Sequence, residues 1–287
     1  MTPKTDMLTV LEIIKRTSEF FEKRGVESAR LNAELLIGHA LGLKRMQLYL
    51  QFERPLTETE LELIRPLVKR RSLREPLQYV IGSTEFCGLR LQVDRRALIP
   101  RPETELLIEL VKQHAVPAPA RILDLGTGSG AIALALATAF PAALVTATEK
   151  SADALKLAGE NASALGLADR VQLVESDWYV ALSSTETFDL IVSNPPYLSD
   201  VETDATNPEV KDHEPRGALS AGTDGASALS TLIRESLVRL RPGGLLALET
   251  GIAQHSQLLA LAKEAGFSRS ESHRDLTGRD RFVLAFA

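Results

Sequence analysis

The run Asn194-Pro195-Pro196-Tyr197 has residue types and spacing that could do chemistry and that packing alone does not call for. Two successive prolines fix the backbone and remove two N–H donors. Directly after the apolar run Phe188-Asp189-Leu190-Ile191-Val192, they form a rigid turn that can aim the Asn194 side chain and the Pro195 carbonyl at one point. Two fixed acceptors suit a planar, conjugated nitrogen, which carries two N–H donors and a delocalised lone pair. Held there, the nitrogen faces an incoming methyl group, and the positive charge that develops on it strengthens both hydrogen bonds. The electrostatic principle is that of an oxyanion hole with the sign reversed. Alignment for in-line transfer adds to this, up to about 7–11 kcal/mol in favourable cases. A methylated amide sheds its proton readily, so no dedicated base is required. Tyr197 is expected to pack against the flat acceptor.

A second group of residues suits a nucleotide. Gly126-Thr127-Gly128-Ser129-Gly130 follows the apolar run Ile122 to Leu125 and precedes an Ala/Leu-rich segment. That places a glycine-rich turn between a strand and a helix, where a ligand can approach the backbone closely. The turn alone is ambiguous, because Gly126, Gly128 and Ala131 also satisfy the dinucleotide pattern, with Glu149 about where a ribose-binding acid belongs. Both readings use Glu149 to accept from ribose hydroxyls. Asp124 precedes the glycines and is free to act structurally, accepting N–H groups of the loop. Asp177 and Trp178 end another apolar run; an acid there can accept from an adenine amino group and an indole can lie against the base. Taken alone, the same pair reads equally well as a capping aspartate and a core tryptophan.

The elements that must position these groups follow from periodicity. Apolar residues at helical spacing, a cap at Ser28 and a capping box at Thr57/Glu60 predict a small helical domain over residues 1–75. Residues 76–100 predict a β-hairpin linker, with strands at Gln78 to Gly82 and Leu89 to Asp94, and then the stiff Ile99-Pro100-Arg101-Pro102. Residues 101–287 alternate strand and helix. Strands are expected at 121–125, 144–149, 171–175, 188–193, 245–249 and 281–287. Helices are expected at 103–113, 130–139, 151–164, 226–240 and 255–265, with Asp200 to Ala218 as a loop. That alternation specifies a mostly parallel sheet covered on both faces.

Bulk properties narrow the function classes. The net charge is −5, with 14 basic and 12 acidic residues in 1–85 and 19 against 26 in the remainder. An acidic second half argues against a stable nucleic-acid partner. The basic cluster Lys69, Arg70, Arg71 and Arg74 reads as a solvated helix face or as a docking surface for a protein partner. Cys87 is the single cysteine and the five histidines are scattered, so no metal is expected. No apolar run is long enough for a membrane span. Met1 to Lys15 carries Asp6 and Glu12 and lacks the features of a secretory leader, so the cytoplasm is the expected compartment.

Together these motifs resemble the release-factor glutamine methyltransferases, the HemK/PrmC family, over nearly the whole chain. The resemblance rests on Arg74-Glu75-Pro76-Leu77-Gln78-Tyr79, Gly82, Glu85 and Phe86, and on Leu98 to Glu105. It rests further on Asp124 to Gly130, Ser176-Asp177-Trp178, Ser193 to Tyr197, Glu214-Pro215 and Leu248-Glu249-Thr250-Gly251. Glu149 and Asn32 stand where the family more often has aspartate. The resemblance implies a five-helix N-terminal bundle, a hairpin linker and a Rossmann-like seven-stranded class I methyltransferase domain. It implies S-adenosyl-L-methionine as methyl donor, S-adenosyl-L-homocysteine as product and peptide chain release factors as partners. The acceptor it implies is the N5 of the glutamine in their Gly-Gly-Gln motif. Gly126, Thr127, Gly128, Ser129, Gly130, Glu149, Asp177, Trp178 and Asn194 are then the donor site. Asn194, Pro195, Pro196 and Tyr197 are the glutamine clamp. An adenine-N6 DNA methyltransferase and a ribosomal-protein glutamine methyltransferase are the alternatives, since the same turn serves both.

Overall fold

Thr9 starts the first helix by a reciprocal cap. Its hydroxyl accepts the Glu12 N–H (3.3 Å) while the Glu12 carboxylate accepts the Thr9 N–H (2.8 Å), so two backbone donors at the helix start are satisfied. The computed structural model describes residues 8–287; Asp6 and the rest of the first seven residues, part of the segment weighed against a secretory leader, lie outside them. Five helices follow: α1 (Val10–Lys23), α2 (Ala29–Leu41), α3 (Arg45–Tyr49), α4 (Glu58–Ser72) and α5 (Leu77–Ile81). With Pro208–His213 they make one unit, Met1–Gly82. Ile14, Phe21, Leu36, Ile37 and Ile64 are its buried centre.

Three expectations are corrected within this unit. Ser28 does not cap α2: it sits at φ 49° and makes no side-chain bond to the helix. Asn32 holds that corner instead, donating to the carbonyls of Glu27 (3.0 Å) and Ser28 (3.2 Å) and accepting from Arg71 Nε (2.8 Å). An amide can do both, which accounts for asparagine at this position. Gln78 to Gly82 is not a strand; α5 occupies it, bounded by Pro76 and by Gly82 at φ 83°. Nor is the basic cluster a free patch. Arg70 binds Glu75 (2.7 Å), while Arg71 and Arg74 both bind Glu209 (2.9 and 2.7 Å). Arg71 is only 4% exposed.

The second unit, Ser83–Asn207 with Glu214–Ala287, begins with a hairpin of β1 (Ser83–Phe86) and β2 (Leu89–Gln92). Cys87 and Gly88 form its turn, both at positive φ, which matches the twist of a tight hairpin. The remaining strands are β3 (Arg121–Leu125), β4 (Leu144–Glu149), β5 (Val171–Glu175), β6 (Phe188–Ser193), β7 (Leu240–Glu249), β8 (Arg269–Arg274) and β9 (Asp280–Phe286). They form one sheet in the order β5-β4-β3-β6-β7-β9-β8. The pairs among β3 to β7 are parallel, and β9 is antiparallel to both neighbours.

Alternation along the strands explains the layers. Leu190, Val192, Leu245 and Ala247 face α6 (Pro102–His114) and α7 (Ala131–Ala139) in one apolar cluster. Their neighbours Ile191, Leu246 and Leu248 face α11 (Ser227–Ser236) and α12 (His255–Ala265) in the other. A strand buried on both sides must read as a continuous apolar run, as these do. The helix α8 (Ala152–Ala164) lies between β4 and β5 in the chain. The expected helix 226–240 stops at Ser236, and β7 starts at Leu240 rather than Leu245. The stretch Asp200 to Ala218 holds two short helices, α9 (Asp200–Asp204) and α10 (Pro208–Lys211), not only loop.

Candidate active site

The turn after β3 needs its glycines. Gly126, Gly128 and Gly130 lie at φ 72°, 56° and 86°, a region that other L-residues enter at a cost of about 1–2 kcal/mol. A Cβ on Gly126 would meet the Trp178 ring at 3.2 Å, and one on Gly130 would meet Ala158 Cβ at 3.2 Å. The loop is tied to β4: the N–H groups of Gly126 and Thr127 both donate to the Thr148 carbonyl at 2.9 Å. Asp124 takes the structural role. Its Oδ2 accepts from the Thr127 hydroxyl (2.6 Å) and the Ala133 N–H (3.0 Å). Oδ1 is buried without a partner, and burial pushes the carboxyl up to about 7.

Glu149 ends β4 with its carboxylate over the loop, accepting from the N–H of Gly128 (2.9 Å) and of Ser151 (2.9 Å). A carboxylate offers about four lone-pair sites, so two remain for a vicinal diol. Trp178 stands at φ 50° with its ring against Gly126, and Asp177 accepts from Lys150 at 2.8 Å. Gly126 to Ser129, Glu149, Asp177 and Trp178 border one cavity of about 330 Å³, whereas Gly130 does not line it; the volume is within the range of small-molecule sites. Glycine backbone, a half-committed acid and an indole are the chemistry a nucleoside needs, so the lining fits S-adenosylmethionine.

Asn194, Pro195 and Pro196, at the exit of β6, line the same cavity. The Ser193 hydroxyl fixes that exit by donating to the Leu125 carbonyl at 2.6 Å. Asn194 Nδ2 donates to Thr104 Oγ1 (3.2 Å), and Thr104 donates to Glu249 Oε2 (2.7 Å). Tyr197 departs from expectation. It is not part of the cavity lining; its hydroxyl donates to Glu249 Oε1 at 3.2 Å, and Arg281 Nη1 donates to that hydroxyl at 3.4 Å. Burial foremost, and then the neighbouring Glu249 charge, raises the Tyr197 phenol.

Sequence reading gave no role to several residues that border or support the cavity, although Thr104, Glu214, Pro215 and Glu249 lie in segments that carry the family resemblance. Thr104 looks like an ordinary first-turn residue of α6, and its partner Glu249 is 145 positions away. Glu249 did carry a signal, an acid at the end of the apolar run Leu245 to Leu248. Glu214 is buried and accepts from the Ile99 N–H (3.1 Å) and Arg101 (2.6 Å), which joins the proline-rich segment to the strand-following loop. Pro215, Gly217 and Ala218 of that loop border the cavity too. Away from it, His114, Glu271 and His273 converge with ligand atoms within 4.8 Å of one another. Glu271 is already paired there with Arg269 (3.2 Å) and His273 (3.1 Å).

Residues 12–82 match the family model "PrmC N-terminal domain", and residues 102–210 match "Methyltransferase small domain". The Geobacter sulfurreducens release factor glutamine methyltransferase is 42% identical over 283 residues, covering 99% of this chain and 98% of that protein. The Chlorobaculum tepidum protein of the same name is 44% identical over 301 residues, covering 99% of each. Among solved structures, the hMettl16 catalytic domain in complex with an RNA hairpin superposes with a TM-score of 0.59 at 19% identity, over 75% of this chain and 81% of that one. The Thermus thermophilus 16S rRNA N2 G1207 methyltransferase, in complex with AdoMet and guanosine, gives 0.52 at 22% identity, over 71% of this chain and 49% of that one. These two share the fold alone. No helix among the described residues is long and apolar enough to cross a membrane.

Proposed function

The chain belongs to the release factor glutamine methyltransferase family, and on that premise we propose that it methylates peptide chain release factors in the cytoplasm. The methyl group goes from S-adenosyl-L-methionine to the side-chain N5 of the glutamine in their Gly-Gly-Gln motif, leaving S-adenosyl-L-homocysteine. The observation that carries the reading is Asn194 lining the same cavity as Glu149, with only its Nδ2 committed, to Thr104.

S-adenosylmethionine supplies an electrophilic methyl on a sulfonium centre. The glycine loop from Gly126 to Gly130, with Glu149, Asp177 and Trp178, holds its nucleoside. Asn194 Oδ1 and the Pro195 carbonyl accept the two N–H groups of the glutamine amide and keep its nitrogen facing the donor. Pro196 keeps that pair of acceptors rigid, and Tyr197 supports them from behind through Glu249. As the nitrogen turns cationic both acceptors bind it more tightly, which lowers the barrier without tightening the ground state equally. The extra proton then leaves to water. Residues 1–75 serve to dock the protein substrate, with 76–100 connecting them to the transferase domain.

The test is transfer of labelled methyl to a purified release factor, to its Gly-Gly-Gln→Gly-Gly-Ala variant and to DNA. Label on the wild-type factor alone is expected. Label on DNA moves the acceptor to adenine, and label on none of the three rejects the release factor as substrate.

A further inference from the structure

We infer that Thr104 and Glu249 are positioning residues that fix which way round the Asn194 amide points. The inference rests on the proposed glutamine clamp and extends it.

An asparagine amide has nearly the same shape in both orientations, yet only one presents an acceptor to a ligand. The inverted form would turn an NH₂ group toward the NH₂ of the substrate glutamine, donor against donor. Something in the site must select between the two. Thr104 Oγ1 has a single proton, and at 2.7 Å that proton goes to Glu249 Oε2. Thr104 can then only accept from Asn194, and Nδ2 is the one atom of that amide able to donate, at 3.2 Å. Oδ1 is thereby left for the ligand. Burial raises the Glu249 carboxyl, while the bond from Thr104, the Arg281 charge and the bond from Tyr197 oppose that and favour the carboxylate; as a carboxylate it cannot donate, and it settles the direction of every bond after it.

The carboxylate is itself immobilised. Tyr197 donates to Oε1 at 3.2 Å, and Arg281 bridges the Tyr197 hydroxyl (3.4 Å) and the Thr250 carbonyl (3.2 Å). Glu249 is 1% exposed, and burying an acid is unfavourable until its partners offset the loss of solvent. Packing alone gives no reason to keep one here. Its reach to Thr104, and through Thr104 to Asn194, does.

The variants Thr104→Val and Thr104→Ser separate this role from packing, since valine keeps the shape without the hydroxyl and serine keeps the hydroxyl. Thr104→Val is expected to lower kcat for release-factor methylation about 10- to 100-fold, the scale of small misplacements of a reacting group. KM for the factor should stay within about threefold, because docking dominates it. Binding of S-adenosylmethionine, read from Trp178, the only tryptophan, should not change. Thr104→Ser is expected to restore kcat to near wild type. An unimpaired valine variant, or a serine variant as impaired as valine, overturns the role. If wild type labels no release factor, the clamp's substrate is wrong, and orientation is judged on the enzyme alone. The Asn194 side-chain amide signal in ¹⁵N spectra, identified by its loss in Asn194→Asp, should lose protection from exchange in Thr104→Val and keep it in Thr104→Ser. Equal protection in both overturns the inference without reference to any acceptor.

Discussion

Glu149 at the end of β4 reaches back to the glycine loop and accepts the Gly128 N–H at 2.9 Å. The acid that is to hold the ribose therefore also holds the loop beneath it. Glu149→Ala removes both, and a hydrogen bond to a charged group contributes about 1.5–3 kcal/mol. The dissociation constant for S-adenosylmethionine is expected to rise roughly 10- to 100-fold, measured by titrating Trp178 fluorescence. A constant within about twofold of wild type would place the ribose elsewhere.

Asp124 makes the stability depend on pH in an unusual direction. Burial lifts its carboxyl to about 7, against about 3.9 in an unfolded chain. Between those values the folded chain keeps a proton that the unfolded chain has released. The contribution of this group is therefore most favourable at low pH, declines as pH rises to about 7 and then levels off. Asp124→Asn stays neutral throughout. Its stability relative to wild type is expected to improve by about 2–3 kcal/mol between about pH 5 and pH 8, at 1.36 kcal/mol per unit. Urea unfolding at both values tests this, and a difference that does not change with pH would show that Asp124 is ionised throughout.

Strands buried on both faces were legible because nothing but a continuous apolar run can fill them, as in Leu190 to Val192. β8 was not, since Arg269-Ser270-Glu271-Ser272-His273-Arg274 is polar and lies at the sheet edge, held by its pairing to β9. Gln78 to Gly82 misled because five residues containing Tyr79, Val80 and Ile81 favour a strand locally, while the flanking Pro76 and Gly82 bound one helical turn. At the site, motifs contiguous in sequence were readable. The Asn194–Thr104–Glu249 relay was not, because its members come from the turn after β6, from α6 and from β7 and meet only through the fold. Tyr197 was read as a neighbour of the acceptor on its place in the motif, but its hydroxyl belongs to Glu249.

Glu209 is the common partner of Arg71 and Arg74. Removing one member of such a pair leaves the other charge buried, which costs about 3–5 kcal/mol for a fully enclosed pair. Arg71 keeps Asn32 and the Glu75 carbonyl as acceptors, so Glu209→Ala is expected to cost less, about 2 kcal/mol. Arg71→Glu or Arg74→Glu should destabilise the protein similarly. A rise in KM from such reversals would therefore report folding as well as docking. Lys69→Glu, outside the Glu209 pair, is the cleaner probe of a docking surface. Chemical denaturation of the three variants checks the ordering, and a Glu209→Ala protein as stable as wild type would mean that the two arginines are solvated.

Asn194→Ala separates the two halves of the site. The variant keeps Pro195, Pro196 and the whole glycine loop but loses the acceptor whose bond to the amide strengthens as the nitrogen becomes cationic. An interaction stronger in the transition state than in the ground state lowers kcat when removed. Removing one donor of an oxyanion hole costs about 10²–10³-fold, and the same scale is expected here for kcat of glutamine methylation. The dissociation constant for S-adenosylmethionine should move by less than about threefold, because Glu149, Trp178 and the loop remain. Rapid-quench turnover and Trp178 titration on the same preparation read the two quantities separately. Loss of cofactor binding in parallel with turnover would make the methyl donor, not the glutamine, the main contact of Asn194, and normal turnover would remove it from the mechanism.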